Sequence, residues 1–255
     1  EFNADAGIIV TASHNPINYN GMKIVKSGSR PLDDGIDFQA IKKLAEEEHW
    51  GKACLLGTTS NIAKEAREKY VNQVLKFIDI SKLKPLKIVV NCGNGAAGPT
   101  FDAIAALLKE HNAPVEFIRV HHEPDHTFPN GIPNPLLVEN RSATSDVVTS
   151  KKADLGVAFD GDFDRCFFFD ETGAFIGGEY VLSLLATSFL EKNPDSNIIH
   201  DPRVIWNVQD IVSTHGGKAI QSKTGHAFIK QMMRQTEAIY GGEMSAHHYF
   251  RDFAY

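Results

Sequence analysis

The strongest constraint on the fold is an alternation of short apolar runs with helical patterns that begins near residue 86. β-Branched runs over residues 86–92 and 115–120 flank a helical pattern over residues 100–111. The later predicted elements are strands at 155–159, 166–170, 197–200, 218–222 and 238–240 and helices at 179–193, 204–215 and 226–235. Buried strands separated by helices of this length are typical of α/β units. The sequence therefore predicts consecutive α/β domains with mixed, mostly parallel sheets.

The first third of the chain has a different pattern. Apolar runs over residues 7–10 and 22–25 flank a loop rich in turn-forming residues, and helical periodicity covers residues 32–49 and 61–78. Pro85 ends any helix that reaches it, so we expect a linker there. The predicted domains are residues 1–82, 83–180 and 181–255.

Net charge and cysteine content restrict the partners and the compartment. The formal net charge of -6 argues against nucleic acid or an anionic membrane as an obligate partner, and no apolar stretch reaches membrane-spanning length. Cys54, Cys92 and Cys166 are scattered and match neither a disulfide framework nor a metal-site spacing, so we expect a reducing cytoplasm. The chain has no signal-peptide pattern and no initial methionine, and we interpret it as a piece of a longer protein.

Three aspartates follow a predicted buried strand. Asp160, Asp162 and Asp164 are two residues apart, and Gly161 allows the loop to bend. Carboxylates at this spacing repel one another unless a cation lies among them, and oxygen ligands select Mg²⁺ or Ca²⁺. The pattern predicts a metal site, with a solvated acidic turn as the alternative. An EF-hand is excluded because Arg165 occupies the position that requires glycine and strands flank the loop.

A phosphotransferase of the haloacid-dehalogenase type is a further alternative. Those enzymes also have Asp-x-Asp after a buried strand, and Asp160 would then be the phosphorylated nucleophile. Their pattern continues to threonine or valine, whereas this chain has Asp164. This departure makes the dehalogenase type the second choice.

A complete G-x-G-x-x-G pattern covers residues 93–98, between a predicted strand and a predicted helix. A dinucleotide site would begin at such a place. The acidic residue that such a site needs is poorly placed, because Glu116 lies inside the next strand and Glu123 lies beyond it. We therefore interpret these glycines as turn and helix-packing residues.

Four separated motifs resemble those of the α-D-phosphohexomutases, the family of phosphomannomutases and phosphoglucomutases. TASHNP followed by YNGMK is similar to the family's phosphoserine loop, and DGDFDR to its Mg²⁺ loop. KTGH and GEMSAH are similar to its active-site-facing and sugar-binding segments. Phe163 and Ala246 stand where the family usually has glycine. Ala246 with the following HHYF resembles the bacterial phosphomannomutases of GDP-mannose synthesis.

The resemblance implies a role for each matching residue. The implied catalytic residues are Ser13, Lys23, Arg165 and His247. The implied substrate-binding residues are His14, Asn15, Arg203, Lys223, His226, Glu243 and Ser245. The implied Mg²⁺ ligands are Asp160, Asp162, Asp164 and the phosphorylated Ser13. Backbone amides at the start of the helix after KTGH are a further place for phosphate.

The implied reaction interconverts mannose 6-phosphate and mannose 1-phosphate through a phosphoserine and a bisphosphorylated sugar, with glucose phosphates as alternative substrates. Glucose 1,6-bisphosphate or mannose 1,6-bisphosphate would be the activator. The family has four domains, and the resemblance implies that this chain holds most of the first, all of the second and most of the third. With the fourth absent, the chain alone is expected to be a poor enzyme or none. A non-catalytic sugar-phosphate-binding protein is the last alternative.

Overall fold

The computed structural model describes residues 2–33, 35–49, 51 and 57–253. Within them, the strands form three sheets that follow one another along the chain. Cys54, named among the scattered cysteines, lies outside the described residues. No helix among the described residues combines the length and the apolar composition needed to cross a membrane.

The first sheet is built on a hairpin. Strand β1 (Ala6–Val10) pairs antiparallel with β2 (Met22–Lys26), and β2 pairs antiparallel with the two-residue β3 (Arg30–Pro31). Helices α1 (Asp37–Glu46) and α2 (Ala63–Leu75) follow and are shorter than the predicted periodic segments. The long loop between β1 and β2 carries the predicted phosphoserine motif.

The second sheet has a parallel half and an antiparallel half. Its strands are β4 (Leu86–Asn91), β5 (Val115–Val120), β6 (Leu155–Phe159), β7 (Cys166–Phe169) and β8 (Phe175–Ile176), in the order β5-β4-β6-β7-β8. The pairs of β4 with β5 and β6 are parallel, and β7 and β8 add antiparallel strands. Helices α3 (Ala97–Glu110) and α4 (Ser142–Lys151) connect the parallel strands. Val89, Val148 and Phe169 are fully buried between sheet and helix.

The third sheet repeats this arrangement. Its strands are β9 (Asn197–His200), β10 (Lys218–Gln221), β11 (Tyr240–Gly242) and β12 (His248–Phe250), in the order β10-β9-β11-β12. Its helices are α5 (Gly178–Lys192), α6 (Trp206–Thr214) and α7 (His226–Thr236). The predicted strand at 238–240 is displaced by two residues, because Ala238 N–H bonds the Met233 carbonyl and so completes the end of α7.

Both α/β sheets have a topological switch point. The chain runs from β4 to β5 on one side and then returns to β6 on the other, and β9, β10 and β11 follow the same course. Ligands of open α/β sheets bind beyond the carboxyl ends of the strands at such points. The aspartate loop follows β6, and the GEMSAH segment begins in β11 and continues beyond it.

Candidate active site

The three predicted metal ligands converge. Oxygens of Asp160, Asp162 and Asp164 all lie within 4.8 Å of one another. Asp160 is fully buried; its Oδ1 accepts the backbone N–H groups of Asp164 at 3.2 Å and Arg165 at 3.1 Å. Its buried Oδ2 has no hydrogen-bond partner among the described residues and lies 3.5 Å from Arg165 Nε.

The electrostatics of this loop fit a hard divalent cation. Burial, together with the neighbouring Asp164 and Asp162, raises the pKa of Asp160 to about 7. A buried carboxylate oxygen without a hydrogen-bond donor, beside two more carboxylates, is stabilised by added positive charge. Carboxylate oxygens are the ligands that Mg²⁺ and Ca²⁺ take in proteins. The triad could therefore hold such an ion.

Ser13 lies against the aspartate loop although the two are 149 positions apart. Its Oγ is 3.3 Å from Asp162 Oδ1. Thr11 supports this approach: its Oγ1 donates to Asp162 Oδ2 at 2.9 Å and accepts the Ser13 N–H at 2.8 Å. Ser13 has a φ of 54°, in the left-handed region that costs energy for a residue with a Cβ. Hydrogen bonds to a carboxylate 151 positions away hold the strained loop in place.

Glycines allow the loops to meet through their backbones. A Cβ on Gly161 would lie 2.7 Å from the Ser13 carbonyl oxygen, and one on Gly95 would lie 2.6 Å from the Gly161 carbonyl oxygen. A Cβ on Gly98 would clash with the His122 carbonyl oxygen. These contacts confirm the prediction that the G-x-G-x-x-G glycines serve tight turns and helix packing, and they place its middle glycine directly beneath the aspartate loop.

Lys23 on β2 contacts two of the aspartates. Its Nζ lies 2.8 Å from Asp162 Oδ2 and 2.6 Å from Asp164 Oδ2. Burial by itself would lower the pKa of Lys23, but the hydrogen bonds to both carboxylates outweigh it and raise the pKa. Lys23 is therefore an ammonium ion at neutral pH.

Arg165 joins the loops of all three sheets. Its Nη2 lies 2.9 Å from His14 Nδ1, and its Nε lies 3.2 Å from His247 Nε2. His14 Nδ1 is also 3.1 Å from Ser13 Oγ, and His247 Nε2 is 3.5 Å from Asp164 Oδ1. The predicted catalytic residues therefore form one continuous polar network.

Glu243 is turned toward His247 and away from solvent, with 2% of its surface exposed. Its Oε1 accepts Gly225 N–H at 2.9 Å, and its Oε2 accepts the Tyr249 hydroxyl at 2.7 Å and lies 3.0 Å from His247 Nδ1. Burial favours a higher pKa for Glu243, but the hydrogen bonds from His247, Tyr249 and Gly225 lower it to about 2. The amide at the start of α7 that could receive phosphate is thus bonded to this carboxylate.

The Glu243 carboxylate also sets the charge of His247. Burial alone would lower the pKa of His247, but hydrogen bonds with Asp164 and Glu243 raise it to about 8. His247 is therefore mostly protonated at neutral pH and exchanges a proton slightly above it. A group with such a pKa can act as an acid or as a base near neutrality.

Two further predicted residues lie beside this pair. Ser245 Oγ is 3.1 Å from His247 Nδ1. Arg203 Nε donates to the buried Asp201 at 2.9 Å, and its Nη2 is 3.9 Å from Glu243 Oε1. Arg203 follows β9, at the switch point of the third sheet.

The remaining predicted substrate residues are exposed. Asn15 Nδ2 donates to the Ala12 carbonyl at 2.9 Å, a contact within its own loop. Lys223 lies over the Phe228 ring at 5.5 Å from its centroid, and His226 begins α7. Within the described residues, these three side chains form no hydrogen bond or ion pair with Asp160, Asp162 or Asp164.

Family models match three consecutive parts of the chain. Phosphoglucomutase/phosphomannomutase alpha/beta/alpha domain I matches residues 1–51, domain II matches residues 68–173 and domain III matches residues 177–255. The chain belongs to the phosphoglucomutase/phosphomannomutase family. The resemblance drawn from the motifs is confirmed, as are the consecutive α/β domains and the mixed sheets.

Individual relatives agree with this assignment. The phosphomannomutase of Salmonella montevideo is 56% identical over 98% of this chain and 55% of the relative. A phosphoglucomutase/phosphomannomutase family protein from Burkholderia thailandensis has a TM-score of 0.86 and 32% identity, covering 97% of this chain and 51% of that one. The Aspergillus fumigatus N-acetylphosphoglucosamine mutase, solved with GlcNAc-6P and magnesium, shares the fold at a TM-score of 0.68 and 16% identity over 95% of this chain and 60% of that one.

The chain spans about half the length of the curated relatives it matches, 55% in the case of the Salmonella enzyme. The matches favour the phosphohexomutase interpretation over both the dehalogenase type and a non-catalytic binding protein.

Phe163 and Ala246, which stand where the family usually has glycine, both have a left-handed backbone conformation. Phe163 has a φ of 66° and Ala246 a φ of 64°. The Phe163 ring meets the Phe159 ring edge-on at 4.7 Å and packs against the cluster around Val90. Ala246 is buried and donates its N–H to the Glu243 carbonyl at 3.1 Å. Glycine suits these turns, and here apolar packing offsets the cost of a side chain.

Sequence reasoning missed two residues of this family site. Thr11 belongs to the quoted phosphoserine motif but was given no role, and only its contact with Asp162 reveals one. Tyr249 lies on β12, which no apolar run predicted, and its hydroxyl holds Glu243. The signal for Thr11 was its place two residues before the serine.

Proposed function

We propose that this chain carries the catalytic machinery of a phosphohexomutase that interconverts mannose 6-phosphate and mannose 1-phosphate. The approach of Ser13 Oγ to within 3.3 Å of Asp162, inside an acidic triad, is the observation that carries the proposal. The preference for mannose rests on relatives named phosphomannomutase that are 52–56% identical to this chain, such as that of Salmonella montevideo at 56%. Glucose phosphates are alternative substrates of the same site.

In the proposed cycle, phosphorylated Ser13 transfers its phosphoryl group to a hydroxyl of the sugar monophosphate. The bond between phosphorus and Ser13 Oγ breaks as the bond to the sugar oxygen forms. The sugar hydroxyl gives its proton to a basic group, and Ser13 Oγ takes a proton as it leaves. The bisphosphorylated sugar then turns over, and Ser13 recovers the other phosphoryl group by the same exchange in reverse.

Lys23 and His247 are the proposed acid/base groups. Lys23 is protonated in its contact with the aspartates, and His247 has a pKa of about 8. Mg²⁺ held by Asp160, Asp162, Asp164 and the phosphorylated Ser13 would stabilise the charge of the transferring phosphoryl group. Arg165 orients His14 and His247 around the same point.

The proposed substrate contacts surround this centre. His14, Asn15, Arg203, Lys223 and His226 would bind phosphate or sugar. Both oxygens of Glu243 contact protein groups, so its first assigned role is to hold His247. Its second role, shared with Ser245, is to bind sugar hydroxyls that approach Glu243 and His247. Glucose 1,6-bisphosphate or mannose 1,6-bisphosphate would restore a phosphate to Ser13 as activator.

The domain division and the compartment belong to the same proposal. Units of residues 1–82, 83–180 and 181–255 each contain one of the three described sheets. Cys92 and Cys166 are free thiols, and a cytoplasmic enzyme acting on phosphorylated sugars would keep them reduced.

Intact mass after incubation with glucose 1,6-bisphosphate and Mg²⁺ tests the proposal. We expect a gain of about 80 Da, located on Ser13 by peptide mapping and absent from Ser13→Ala. A phosphate on Asp160 would instead support the dehalogenase type. Sugar-phosphate binding that is unchanged in Ser13→Ala and after chelation would support a non-catalytic protein.

A further inference from the structure

Lys23 occupies the side of the aspartate triad that faces the first sheet. Its Nζ lies 2.8 Å from Asp162 and 2.6 Å from Asp164, so two of the three carboxylates already face a positive charge. Asp162 Oδ2 also accepts the Thr11 hydroxyl at 2.9 Å. One oxygen of Asp162 and one oxygen of Asp164, the Oδ2 atom in each case, are therefore engaged by groups of the first sheet.

Arg165 is a second cation near the triad, and it is less well placed than Lys23 to act as a counter-ion. Arg165 Nε is 3.5 Å from Asp160 and 3.8 Å from Asp164, and the same guanidinium contacts His14 and His247. A lysine ammonium is a compact point charge with freely rotating donors on a flexible stem. The Lys23 ammonium is therefore closer to a metal ion in its charge distribution than the Arg165 guanidinium is. Its flexible stem also allows the ammonium group to move away from the aspartates.

Two cations cannot share these oxygens at contact distance, because like charges repel and each oxygen has few lone pairs. We propose that Lys23 is a built-in competitor of the divalent cation at Asp162 and Asp164, and that metal entry releases the Lys23 ammonium. The exchange replaces one cation by another and moves no proton. The inference rests on the proposed function, because the same carboxylates are assigned to Mg²⁺ there.

The exchange gives Lys23 two states. Without metal, its ammonium group offsets part of the negative charge of the triad and ties β2 of the first sheet to the loop after β6 of the second. With metal, the ammonium group is free to reach the sugar hydroxyl or Ser13. Its availability as an acid/base group would then follow occupancy of the metal site.

Calorimetric titration with Mn²⁺ alone at fixed ionic strength tests this competition. We expect Lys23→Met to bind Mn²⁺ about tenfold more tightly than the wild-type chain. The matched control is Lys26→Met, three residues along the same strand, because the Lys26 ammonium pairs with Asp37. We expect the control to bind Mn²⁺ within about twofold of the wild type.

The outcomes separate the two proposals. Equal or weaker Mn²⁺ binding by Lys23→Met, with wild-type binding that is lost in Asp160→Asn, would overturn the competition and leave the metal site standing. Absence of Mn²⁺ binding by the wild-type chain would overturn both the competition and the metal assignment.

A second test uses only the wild-type chain, so its result does not depend on whether Lys23→Met folds. We expect brief amine acetylation followed by peptide mass spectrometry to modify Lys23 severalfold more in the presence of Mn²⁺, with Lys26 unchanged as the internal reference. Modification of Lys23 that is equal with and without Mn²⁺, at concentrations where calorimetry shows binding, would overturn the inference.

Discussion

Phe163 and Ala246 show how a residue with a side chain replaces glycine at a left-handed turn. The left-handed conformation costs an L-residue about 1–2 kcal/mol. Ala246 regains part of this cost because its methyl group is buried, at 3% exposure. Phe163 regains more, because its ring packs on Phe159 and the cluster around Val90.

Glycine substitutions at these two positions should therefore differ. For Ala246→Gly, relief of about 1–2 kcal/mol in the backbone exceeds the loss of about 0.8 kcal/mol of methyl burial, so the free energy of unfolding should rise by about 0.2–1.2 kcal/mol. For Phe163→Gly, the loss of the ring contacts should outweigh the relief of backbone strain. The free energy of unfolding should therefore fall by about 1–2 kcal/mol. Urea unfolding measures both. Equal stabilities of the two variants would contradict this account.

Tyr249 shares the Glu243 carboxylate with His247 and so limits how strongly that carboxylate raises the pKa of His247. In Tyr249→Phe, Glu243 Oε2 loses a donor and its charge acts more strongly on His247, so the pKa of His247 should rise above about 8. An NMR titration of the imidazole measures this pKa. The control is Tyr70→Phe, which removes the hydroxyl of a ring that packs on Phe253. An unchanged or lower pKa of His247 in Tyr249→Phe would show that the hydroxyl has no such role.

Strand β12 carries a histidine that cannot easily be charged in the folded protein. His248 Nδ1 is 2.6 Å from the Tyr240 hydroxyl, and its buried Nε2 has no hydrogen-bond partner in the part of the chain that the structure describes. Burial, together with the nearby His247, lowers the pKa of His248 to about 4. The pKa of an unfolded histidine is about 6.5. The contribution of His248 to stability is therefore complete above pH 6.5 and is lost as the pH falls toward 4.

This acid sensitivity should disappear in His248→Asn. Between pH 7.5 and pH 4.5 the wild-type chain should lose about 2–3 kcal/mol of unfolding free energy more than the variant does. Urea unfolding at the two pH values gives this difference. His49→Asn is the control, because the His49 side chain is 70% exposed. A variant that loses as much stability as the wild type would exclude His248 as the cause.

The loop after β6 depends on a glycine with no room for a side chain. In Gly161→Ala, the new Cβ would lie 2.7 Å from the Ser13 carbonyl oxygen, so the Ser13 loop must move away from the aspartates. We expect phosphorylation of Ser13 to fall at least about tenfold, with a stability loss of about 1–3 kcal/mol. Mass spectrometry and urea unfolding measure the two effects.

Gly57→Ala is the matched control, because a Cβ on Gly57 would meet no atom of the described residues within 4 Å. It should leave both quantities unchanged. Full phosphorylation of Gly161→Ala would mean that the backbone contact does not set the position of Ser13.

At the scale of the whole molecule, the first sheet exposes an apolar edge. Among the described strands, β1 pairs on one side only, and Ile8, Ile9 and Val10 are 57–69% exposed. An exposed apolar edge strand is a template for pairing with another chain. We expect the purified chain to associate as its concentration rises, as measured by light scattering after size exclusion.

A charge on this edge should oppose the association. Ile8→Lys should shift the chain toward the monomer, whereas Val138→Lys, at a position 72% exposed on the second domain, should not. A wild-type chain that stays monomeric at every concentration, or equal association of both variants, would contradict a role for β1.

Local sequence predicted those elements whose causes are local. Strands β5, β6 and β9 were predicted at their observed bounds, because each is a short apolar run between turn residues. Strand β12 was missed because a polar pair, His247 and His248, interrupts its pattern, and the strand exists through its pairing with β11.

The site was predictable as a set of residue types but not as a set of contacts. The serine, the aspartates and His247 stand in recognisable motifs. The pairing of Lys23 with Asp162 spans 139 positions, and the burial of Glu243 against Gly225 depends on the packing of β11 beside α7. No local pattern records such contacts, because they arise only when separate sheets come together.

The reach of Arg165 has a consequence for how the three sheets can be arranged. A guanidinium keeps its donors in one rigid plane. His14 and His247 can both be bonded only when the first and third sheets stand at one separation on either side of the second. A rotation that opens either junction costs one imidazole contact, so a single side chain in the middle domain registers whether both of its neighbours are in place.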